Sequence, residues 1–326
     1  MRRRVLVTGA GGFIGSHLVE ALVRSGTDVR AFVRYNSRND HGWLESLSSE
    51  IASEIDVFRG DLVNPDAVAN SIMGCEIVFH LGALIPIPYS YRHPREFIAA
   101  NTIGTLNILE AARKGEISRL VHVSTSEVYG TPQDVPINEM HLLNAQSPYA
   151  ASKVAADQLA LSYHYSFDLP VMIARPFNTY GPRQSARAVI PTIITQALAG
   201  TEIKLGSVHT TRDFLFVDDT TSGLIRCGQA EGIAGEVINL GTGAETTIAE
   251  VANLILSAIG RPAVITQVDE RTRPPRSEVQ RLLADISRAR SLLRWEPLVP
   301  LPEGLARTTE WFREATEAYK PSIYNV

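Results

Sequence analysis

A glycine-rich turn close to the N-terminus constrains this chain more than any other feature. An apolar strand pattern at 4–7 precedes the turn, and a helical pattern follows it at 14–25. Gly9 permits a tight turn, Gly12 leaves room for a pyrophosphate, and Gly15 lets the helix pack closely on the strand. The helix N-terminus then faces the phosphates. These residues predict a strand–turn–helix unit that binds a dinucleotide.

The strand–helix rhythm continues through the first half of the chain. Further apolar strand patterns lie at 29–33, 56–59, 77–81, 120–124 and 171–175. Helical patterns lie at about 95–113 and at about 148–165, the second with Ser147 as its cap and Pro148 at its first position. Repeated strand–helix–strand units predict an α/β fold with a doubly wound, Rossmann-type parallel sheet.

In the second half of the chain strand and helix patterns alternate less regularly, and Pro and Gly become frequent after about residue 180. This change predicts a smaller C-terminal substrate lobe that is interleaved with the sheet. We therefore expect an NAD(P)-binding Rossmann domain at 1–175, to which later segments return, and a mainly substrate-binding lobe at 176–326.

Composition narrows the classes of function. The 326 residues carry a formal net charge of −4, which gives no electrostatic reason to expect a nucleic-acid partner. Cys75 and Cys227 fit no metal or disulfide spacing, so we expect no metal site and a reducing, cytoplasmic location. No apolar stretch approaches the roughly 20 residues that span a bilayer, so we expect no membrane partner.

Two residues bear on the choice of dinucleotide. NAD enzymes of this type hold the ribose diol with an acidic residue after the second strand, but here Val33 ends that strand and Arg34 follows it. An arginine suits a 2′-phosphate, which favours NADP over NAD; the alternatives are a solvated arginine or one stacked on the adenine. Asp61, after the third strand, is either an acceptor for the adenine amino group or a turn residue.

Tyr149 and Lys153 are the first candidates for catalysis. They lie four residues apart on a predicted helix and therefore share one face. A lysine beside a phenol favours the phenolate, which can act as a base toward a hydroxyl group. Thr125 and Glu127 follow the strand at 120–124, where Thr125 can donate to the oxygen being oxidised. Glu127 is either a catalytic carboxylate or a solvated loop acid.

Together these motifs resemble the extended short-chain dehydrogenase/reductase family of nucleotide-sugar enzymes. The resemblance covers nearly the whole chain, in the stretches 8–15, 80–83, Asn101, Tyr149/Lys153, 175–183, 212–214 and 239–241. It implies NAD(P) chemistry on a nucleotide-diphosphate sugar. It also implies further cofactor contacts, which are Phe13, Ile14, Leu62, Leu81, Ala83, Asn101 and Pro176.

Within that family, two stretches resemble GDP-mannose 4,6-dehydratases, which use NADP: 32–34 and 124–127. Closer still are the bacterial N-acetylglucosamine-nucleotide 4,6-dehydratases, through 34–37, 42–44, 87–91 and 181–191. The resemblance therefore implies dehydration of an NDP-hexose, NDP-N-acetylglucosamine in the first place, to the 4-keto-6-deoxy sugar. The stretch at 124–130 also resembles UDP-glucuronate decarboxylases.

Two departures from the family pattern matter. The family usually has alanine where Gly82 stands, and the glycine is expected to loosen the wall near the nicotinamide. Many 4,6-dehydratases have Asp-Glu where this chain has Ser126-Glu127, and the aspartate protonates the leaving hydroxyl. Here that proton is left to Glu127, Ser126 or water, and we count Ser126 among the catalytic candidates.

The resemblance also suggests substrate contacts and a homodimer. Arg212 and Arg273 are candidates for the diphosphate, since a guanidinium binds it bidentately, and salt bridges are the alternative role. The other candidate substrate contacts are Tyr89, Asn178, Arg183 and Val189. The helices at about 95–113 and 148–165 often form a dimer interface in this family.

Three other functions compete with the dehydratase. A 4-epimerase needs no base at C5, so Glu127 argues against it. A uronate decarboxylase needs a cation for the C6 carboxylate, and Arg92, Arg183 or Arg187 could serve. A non-catalytic NADP-binding regulator is disfavoured by the intact pair of Tyr149 and Lys153.

Overall fold

A computed structural model describes residues 4–115, 117–315, 319–320 and 323. In chain order its strands are β1 (Arg4–Thr8), β2 (Asp28–Arg34), β3 (Ile55–Gly60), β4 (Ile77–His80), β5 (Arg119–Val123), β6 (Val171–Pro176), β7 (Asn178–Tyr180), β8 (Glu202–Leu205), β9 (Thr211–Arg212), β10 (Phe214–Phe216), β11 (Val237–Leu240), β12 (Thr246–Thr247), β13 (Val264–Gln267) and β14 (Arg281–Leu282). Seven of them form one parallel sheet in the order β11-β6-β5-β4-β1-β2-β3. This sheet confirms the predicted Rossmann-type α/β fold.

Helices cover both faces of the sheet. In chain order they are α1 (Phe13–Arg24), α2 (Ser49–Ala52), α3 (Pro65–Ile72), α4 (Ile87–Arg92), α5 (Pro94–Phe97), α6 (Gly104–Lys114), α7 (Pro148–Phe167), α8 (Val189–Ala199), α9 (Val217–Gln229), α10 (Ile248–Ile259), α11 (Ser287–Leu293) and α12 (Leu301–Glu314). Val5 and Val7 pack in the cluster that α1 and α9 complete, whereas Leu6 packs with α3, α6 and α7. Burial on both faces explains why the central strands read as nearly continuous apolar runs.

The helix predicted at about 95–113 is helical throughout but is not α-helical along its whole length. Between α5 and α6 the segment Ile98–Ile103 is π-helical. Within it, the Asn101 carbonyl accepts a hydrogen bond from Thr105 Oγ1 at 2.6 Å, and the Asn101 side chain bonds both backbone groups of Leu84. Single π turns often mark functional positions, and apolar spacing does not reveal them.

The helix predicted at about 148–165 runs as Pro148–Phe167. Ser147 caps it as expected, because its hydroxyl accepts from Ala150 N at 3.1 Å. At its other end Asp168 adopts a left-handed conformation, with φ at 54°, and the chain then turns into β6.

The second half of the chain builds its own core and also returns to the large sheet. Strand β11 pairs with β6, so a late segment completes the sheet. A separate apolar cluster joins α8, α10 and α12 with β8 and β10. The division of the chain at residue 175 stays a prediction.

None of the helices in the described ranges has both the length and the apolar character that crossing a membrane requires.

A capping box begins α10 and gives a test of local stability. Thr247 Oγ1 accepts from Glu250 N at 3.1 Å, and Glu250 Oε2 accepts from Thr247 N at 2.8 Å. We expect Thr247→Ala to lower the free energy of unfolding by about 1 kcal/mol, because the Glu250 amide loses its side-chain acceptor. Urea denaturation measures this loss. The exposed Ser257→Ala on the same helix is the control, and an equal loss in both variants would contradict the assignment.

Candidate active site

A cavity of about 1050 Å³ opens at the carboxyl ends of the central strands. β1 lies between β2 and β4, so the strand order reverses there, and ligands of open α/β sheets bind at this point. The predicted site residues that line the cavity are Gly9, Gly12, Phe13, Ile14, Gly15, Arg34, Asp61, Leu62, Leu81, Ala83, Thr125, Ser126, Glu127, Tyr149, Lys153, Pro176 and Asn178.

The glycine turn at the cavity floor is too close to other backbone to carry side chains. Gly9 has φ at 69°, and a Cβ on Gly15 would lie 2.2 Å from the Gly9 carbonyl oxygen. The turn closes with Gly12 N donating to Gly9 O at 3.0 Å. α1 begins at Phe13, so its first amides face the cavity without side chains in the way.

Gly82 does not loosen the neighbouring wall, contrary to the expectation from its family position. A Cβ there would lie 2.6 Å from Leu62 Cδ1 and 3.1 Å from Thr8 Oγ1. The side chain of Leu62 therefore occupies the space that an alanine methyl needs. The backbone of Gly82 is fixed as well, because its N–H donates to Thr8 Oγ1 at 3.0 Å.

A buried chain of hydrogen bonds lies behind this wall, and the sequence motifs did not single out Thr8 and His80 for it. Thr8 Oγ1 lies 2.8 Å from His80 Nδ1, and His80 Nε2 lies 3.0 Å from Thr105 Oγ1. Because Thr105 donates its hydroxyl proton to Asn101 O, it accepts from His80 Nε2–H. His80 Nδ1 then accepts from Thr8. Burial, the largest cause, lowers the pKa of His80 well below its ordinary value and keeps the ring neutral.

Asn101 lies outside the cavity lining and is fully buried. Its side chain accepts from Leu84 N at 2.7 Å, and it donates to Leu84 O and to Ser152 Oγ, both at 2.9 Å. Asn101 therefore holds the cavity-lining segment that contains Leu84 to the helix that carries Tyr149. A role in cofactor binding stays a prediction for this residue.

Arg34 and Asp61 lie at the outer end of the cavity. The Arg34 side chain is 80% exposed, and its Nε lies 3.8 Å from Asp61 Oδ2. Such a distance between exposed groups is a weak ion pair, so the guanidinium is available to a ligand.

The five candidate catalytic residues converge at the other end. Thr125 caps the 3₁₀ segment Ser126–Tyr129, and its Oγ1 accepts from Glu127 N at 3.2 Å. Its hydroxyl proton is thus free for Tyr149 or for a ligand. Lys153 Nζ donates to Val123 O at 2.8 Å, which fixes the ammonium at the end of β5.

The electrostatics of Tyr149 and Lys153 follow from their burial. Burial raises the pKa of Tyr149 above its ordinary value, and a hydrogen bond from Thr125 opposes that rise. Burial also lowers the pKa of Lys153 to about 8, and the Asp157 carboxylate acts in the opposite direction. In the protein alone the phenol is protonated, so it needs a nearby positive charge before it can act as a base.

Glu127 belongs to a cluster of alternating charges on the substrate-lobe side. Arg273 Nη1 lies 3.8 Å from Glu127 Oε1 and 3.9 Å from Glu278 Oε1. Arg212 Nη2 lies 3.2 Å from Glu278 Oε1. Neither Arg212 nor Arg273 is among the cavity-lining residues, but Glu127 connects them to it.

The remaining predicted substrate contacts lie outside the cavity lining and are engaged elsewhere. Arg183 Nη2 donates to Glu20 Oε2 at 2.7 Å and ties its loop to α1. The Tyr89 hydroxyl donates to Glu96 Oε2 at 2.9 Å. Val189 begins α8. Their contacts with a substrate stay predictions.

Several buried polar atoms at the cavity have no hydrogen-bond partner among the described residues: Ser124 Oγ, Asn178 Oδ1, Gln184 Oε1 and Arg273 Nη1. Three of their residues line the cavity, and Arg273 adjoins Glu127. The motifs did not single out Ser124 or Gln184 as site residues. Only the fold shows that these atoms are buried near the cavity.

Among the described residues no cluster of His, Cys, Asp and Glu suits a metal ion.

The family model for GDP-mannose 4,6 dehydratase matches residues 6–308. The chain belongs to this family. The resemblance to extended short-chain dehydrogenase/reductases that act on nucleotide sugars is thereby confirmed, and so is the assignment of the chain as such an enzyme.

Proteins related to this chain catalyse different reactions. The chain is 37% identical over 322 residues to a UDP-glucose 4-epimerase of Mycolicibacterium smegmatis, covering 96% of this chain and 100% of the epimerase. It is 35% identical over 317 residues to a dTDP-glucose 4,6-dehydratase of an Actinoplanes species, covering 95% and 98%. A Bacillus cereus UDP-glucuronic acid 4-epimerase, solved with UDP-glucuronic acid and NAD, superposes with a TM-score of 0.87 at 29% identity, covering 96% and 99%.

The pair of Arg212 and Glu278 gives a test of the charge cluster. Their side chains are 7% and 13% exposed, so removal of the carboxylate leaves a guanidinium in a poorly solvated place. We expect Glu278→Leu to destabilise the protein by about 3 kcal/mol, and the double variant Arg212→Met/Glu278→Leu to regain most of that loss. Urea denaturation of both variants measures this. A double variant as unstable as the single one would show that the pair is not coupled.

Proposed function

We propose that this chain is a nucleotide-sugar 4,6-dehydratase that converts NDP-N-acetylglucosamine to its 4-keto-6-deoxy product with NADP. The observation that carries the proposal is the position of Glu127. Its carboxylate lines the same cavity as Tyr149 and Lys153. A base for C5 beside a base for the 4-hydroxyl is what a dehydratase needs and an epimerase does not.

The residues fit a nicotinamide dinucleotide. The glycine turn is a cradle that a single Cβ on Gly15 would fill, and the free amides of α1 lie above it. When bound, the cofactor supplies an acceptor that takes a hydride from C4 of the sugar and returns it to C6. Arg34 favours NADP, because a guanidinium without a tight partner suits a 2′-phosphate. The superposed epimerase holds NAD, so the choice between the two needs a direct test.

Oxidation at C4 depends on Tyr149. The phenolate takes the proton of the 4-hydroxyl, and the Thr125 hydroxyl donates to the same oxygen. Lys153 lowers the energy of the phenolate because it is a fixed, buried cation. Tyr149 ends this step protonated.

Elimination of water depends on Glu127. Its carboxylate takes the C5 proton, which the new 4-ketone acidifies, and the C6–O bond then breaks. Many 4,6-dehydratases have an aspartate at the position of Ser126, and that aspartate protonates the leaving hydroxyl. In this chain we assign the role to Glu127, which is protonated once it has taken the C5 proton. The reaction moves two protons, one from the 4-hydroxyl and one from C5. One proton ends in the released water, and the other restores the C5–H bond.

The diphosphate is expected to meet Arg212 and Arg273. Arg273 Nη1 has no hydrogen-bond partner among the described residues and lies next to Glu127, at 3.8 Å. The two carboxylates near Arg273 lie beyond hydrogen-bond distance, so its buried Nη1 keeps a donor that an anion can accept from. Asn178 lines the cavity with a free Oδ1, which suits a sugar hydroxyl as donor.

A uronate decarboxylase is the second candidate function, and Arg273 is the observation that favours it. That reaction needs a cation for the C6 carboxylate, and Arg273 is close to the base. The cations named from the sequence do not line the cavity: Arg92, Arg183 and Arg187.

The homodimer through the helices around α6 and α7, and the cytoplasmic location, stay predictions.

The reaction is tested by product masses in heavy water. We expect incubation with UDP- or GDP-N-acetylglucosamine to give loss of one water and gain of one deuterium at C5. Glu127→Gln should lose at least about a hundredfold in turnover, because the C5 base is gone, yet keep dinucleotide binding. A C4 epimer of unchanged mass would exclude dehydration of these substrates. Carbon dioxide from UDP-glucuronate would instead support the second candidate.

The choice of cofactor is tested by Arg34→Ala. We expect about a tenfold to hundredfold weaker affinity for NADP and little change for NAD, because only the 2′-phosphate contact is lost. Calorimetric titration with both dinucleotides measures this. Arg38→Ala is the control, since Arg38 lines the same end of the cavity but pairs with Asp40 at 3.2 Å. Equal weakening of NAD and NADP in Arg34→Ala would mean that Arg34 stacks on the adenine instead.

A further inference from the structure

Asp157 is a buried carboxylate one helical turn beyond Lys153 on α7. The two side chains share one face of the helix, because positions i and i+4 do so. Asp157 is fully buried and Lys153 is 3% exposed, so both charges are out of contact with bulk water. Charges in such a place act on each other far more strongly than charges at the surface.

The hydrogen bonds of Asp157 are unevenly shared between its two oxygens. Oδ2 accepts from Arg175 Nε at 3.1 Å and from Arg175 Nη2 at 2.9 Å. Oδ1 lies 3.3 Å from His122 Nε2 and has no hydrogen-bond partner among the described residues. The two hydrogen bonds from Arg175 therefore hold the carboxylate in place and keep it ionised, and Oδ1 has no cationic partner because the ring of His122 is neutral.

We propose that Asp157 is a positioning residue that keeps Lys153 protonated and thereby keeps Tyr149 usable as a base. The effect on Lys153 holds for whichever nucleotide sugar the enzyme converts. Its catalytic consequence rests on the proposed role of Tyr149.

The other groups that face this part of α7 do not supply the negative charge. The titratable and charged ones are His80 from β4, His122 from β5, Arg175 from β6, Glu127 and Tyr129 from the 3₁₀ segment, and Tyr149 from α7 itself. Burial lowers the pKa of His122 to about 4, and that of His80 also falls, so both rings are neutral at pH 7. Arg175 is a further cation. The carboxylates of Glu127 and Asp157 both act directly on Tyr149 and raise its pKa, so Asp157 favours the phenolate only through its effect on Lys153.

The sign of the effect follows from burial. Burial lowers the pKa of Lys153 to about 8 from its ordinary 10.5, and Asp157 is the group that opposes this shift. Without the carboxylate the pKa falls further, and the ammonium loses its proton near neutral pH. Tyr149 then has no cation beside it, and its phenolate becomes harder to form.

Nuclear magnetic resonance of lysine tests this without any substrate. The chain has four lysines, Lys114, Lys153, Lys204 and Lys320, so ¹³C labelling at lysine Cε gives few signals, and the one that disappears in Lys153→Arg is assigned. We expect the Lys153 signal of the wild type to titrate near pH 8. In Asp157→Asn its midpoint should fall by about one pH unit or more, and in Asp157→Glu it should return toward the wild-type value.

The matched control is Glu139→Gln. Glu139 is also a buried carboxylate, and it accepts from Asn239 N at 2.8 Å, in the same hydrogen-bond network as Arg175. Glu139 is not among the groups that act on Lys153, so its removal should leave the Lys153 midpoint unchanged.

Three results would overturn the proposal. One is an unchanged Lys153 midpoint in a folded Asp157→Asn protein, and another is an equal fall in Glu139→Gln. The third needs no variant: a wild-type Lys153 that is already neutral at pH 7. Because these readouts involve no turnover, a wrong substrate assignment leaves them intact. Once a substrate is known, the alkaline limb of the kcat profile should move to lower pH in Asp157→Asn, whereas a purely structural loss would lower kcat without moving that limb.

Discussion

The close backbone contact between the glycine turn and the loop after β4 is the constraint on which the site depends. A Cβ on Gly9 would lie 2.9 Å from the Gly82 backbone, and one on Gly15 would lie 2.2 Å from Gly9 O. These contacts bring the ends of β1 and β4 and the start of α1 into one corner. The cavity floor is therefore bare backbone, which is the surface that a pyrophosphate needs.

Features that depend on neighbours in the sequence could be predicted well. The central strands of the large sheet are buried on both faces and therefore read as apolar runs. The glycine turn, the Ser147 cap and the spacing of Tyr149 and Lys153 are local patterns. The site residues after β4 and β5 were also predictable, because parallel strands bring their carboxyl ends to one edge of the sheet. Thr125 and Glu127 reach the cavity for this reason.

Features that depend on contacts between distant segments could not be predicted. The motif that contains Arg183 does not reveal its hydrogen bond to Glu20, which lies 163 residues away in the sequence. Gly82 reads as a missing methyl group, but Leu62 fills that space. The π turn at Ile98–Ile103 contains Asn101, which bonds the loop at Leu84, and nothing in the helical spacing of that segment indicates the turn.

Oxidation at C4 is common to dehydration, epimerisation and decarboxylation, so Tyr149 and Lys153 cannot distinguish these reactions. The groups that face C5 and C6 must do so. Under the proposed function they are a single carboxylate, Glu127, with the guanidinium of Arg273 at 3.8 Å and the hydroxyl of Ser126 beside it. Relatives of similar sequence can therefore differ in reaction through a few side chains at this one corner, while the sheet and the glycine turn stay the same.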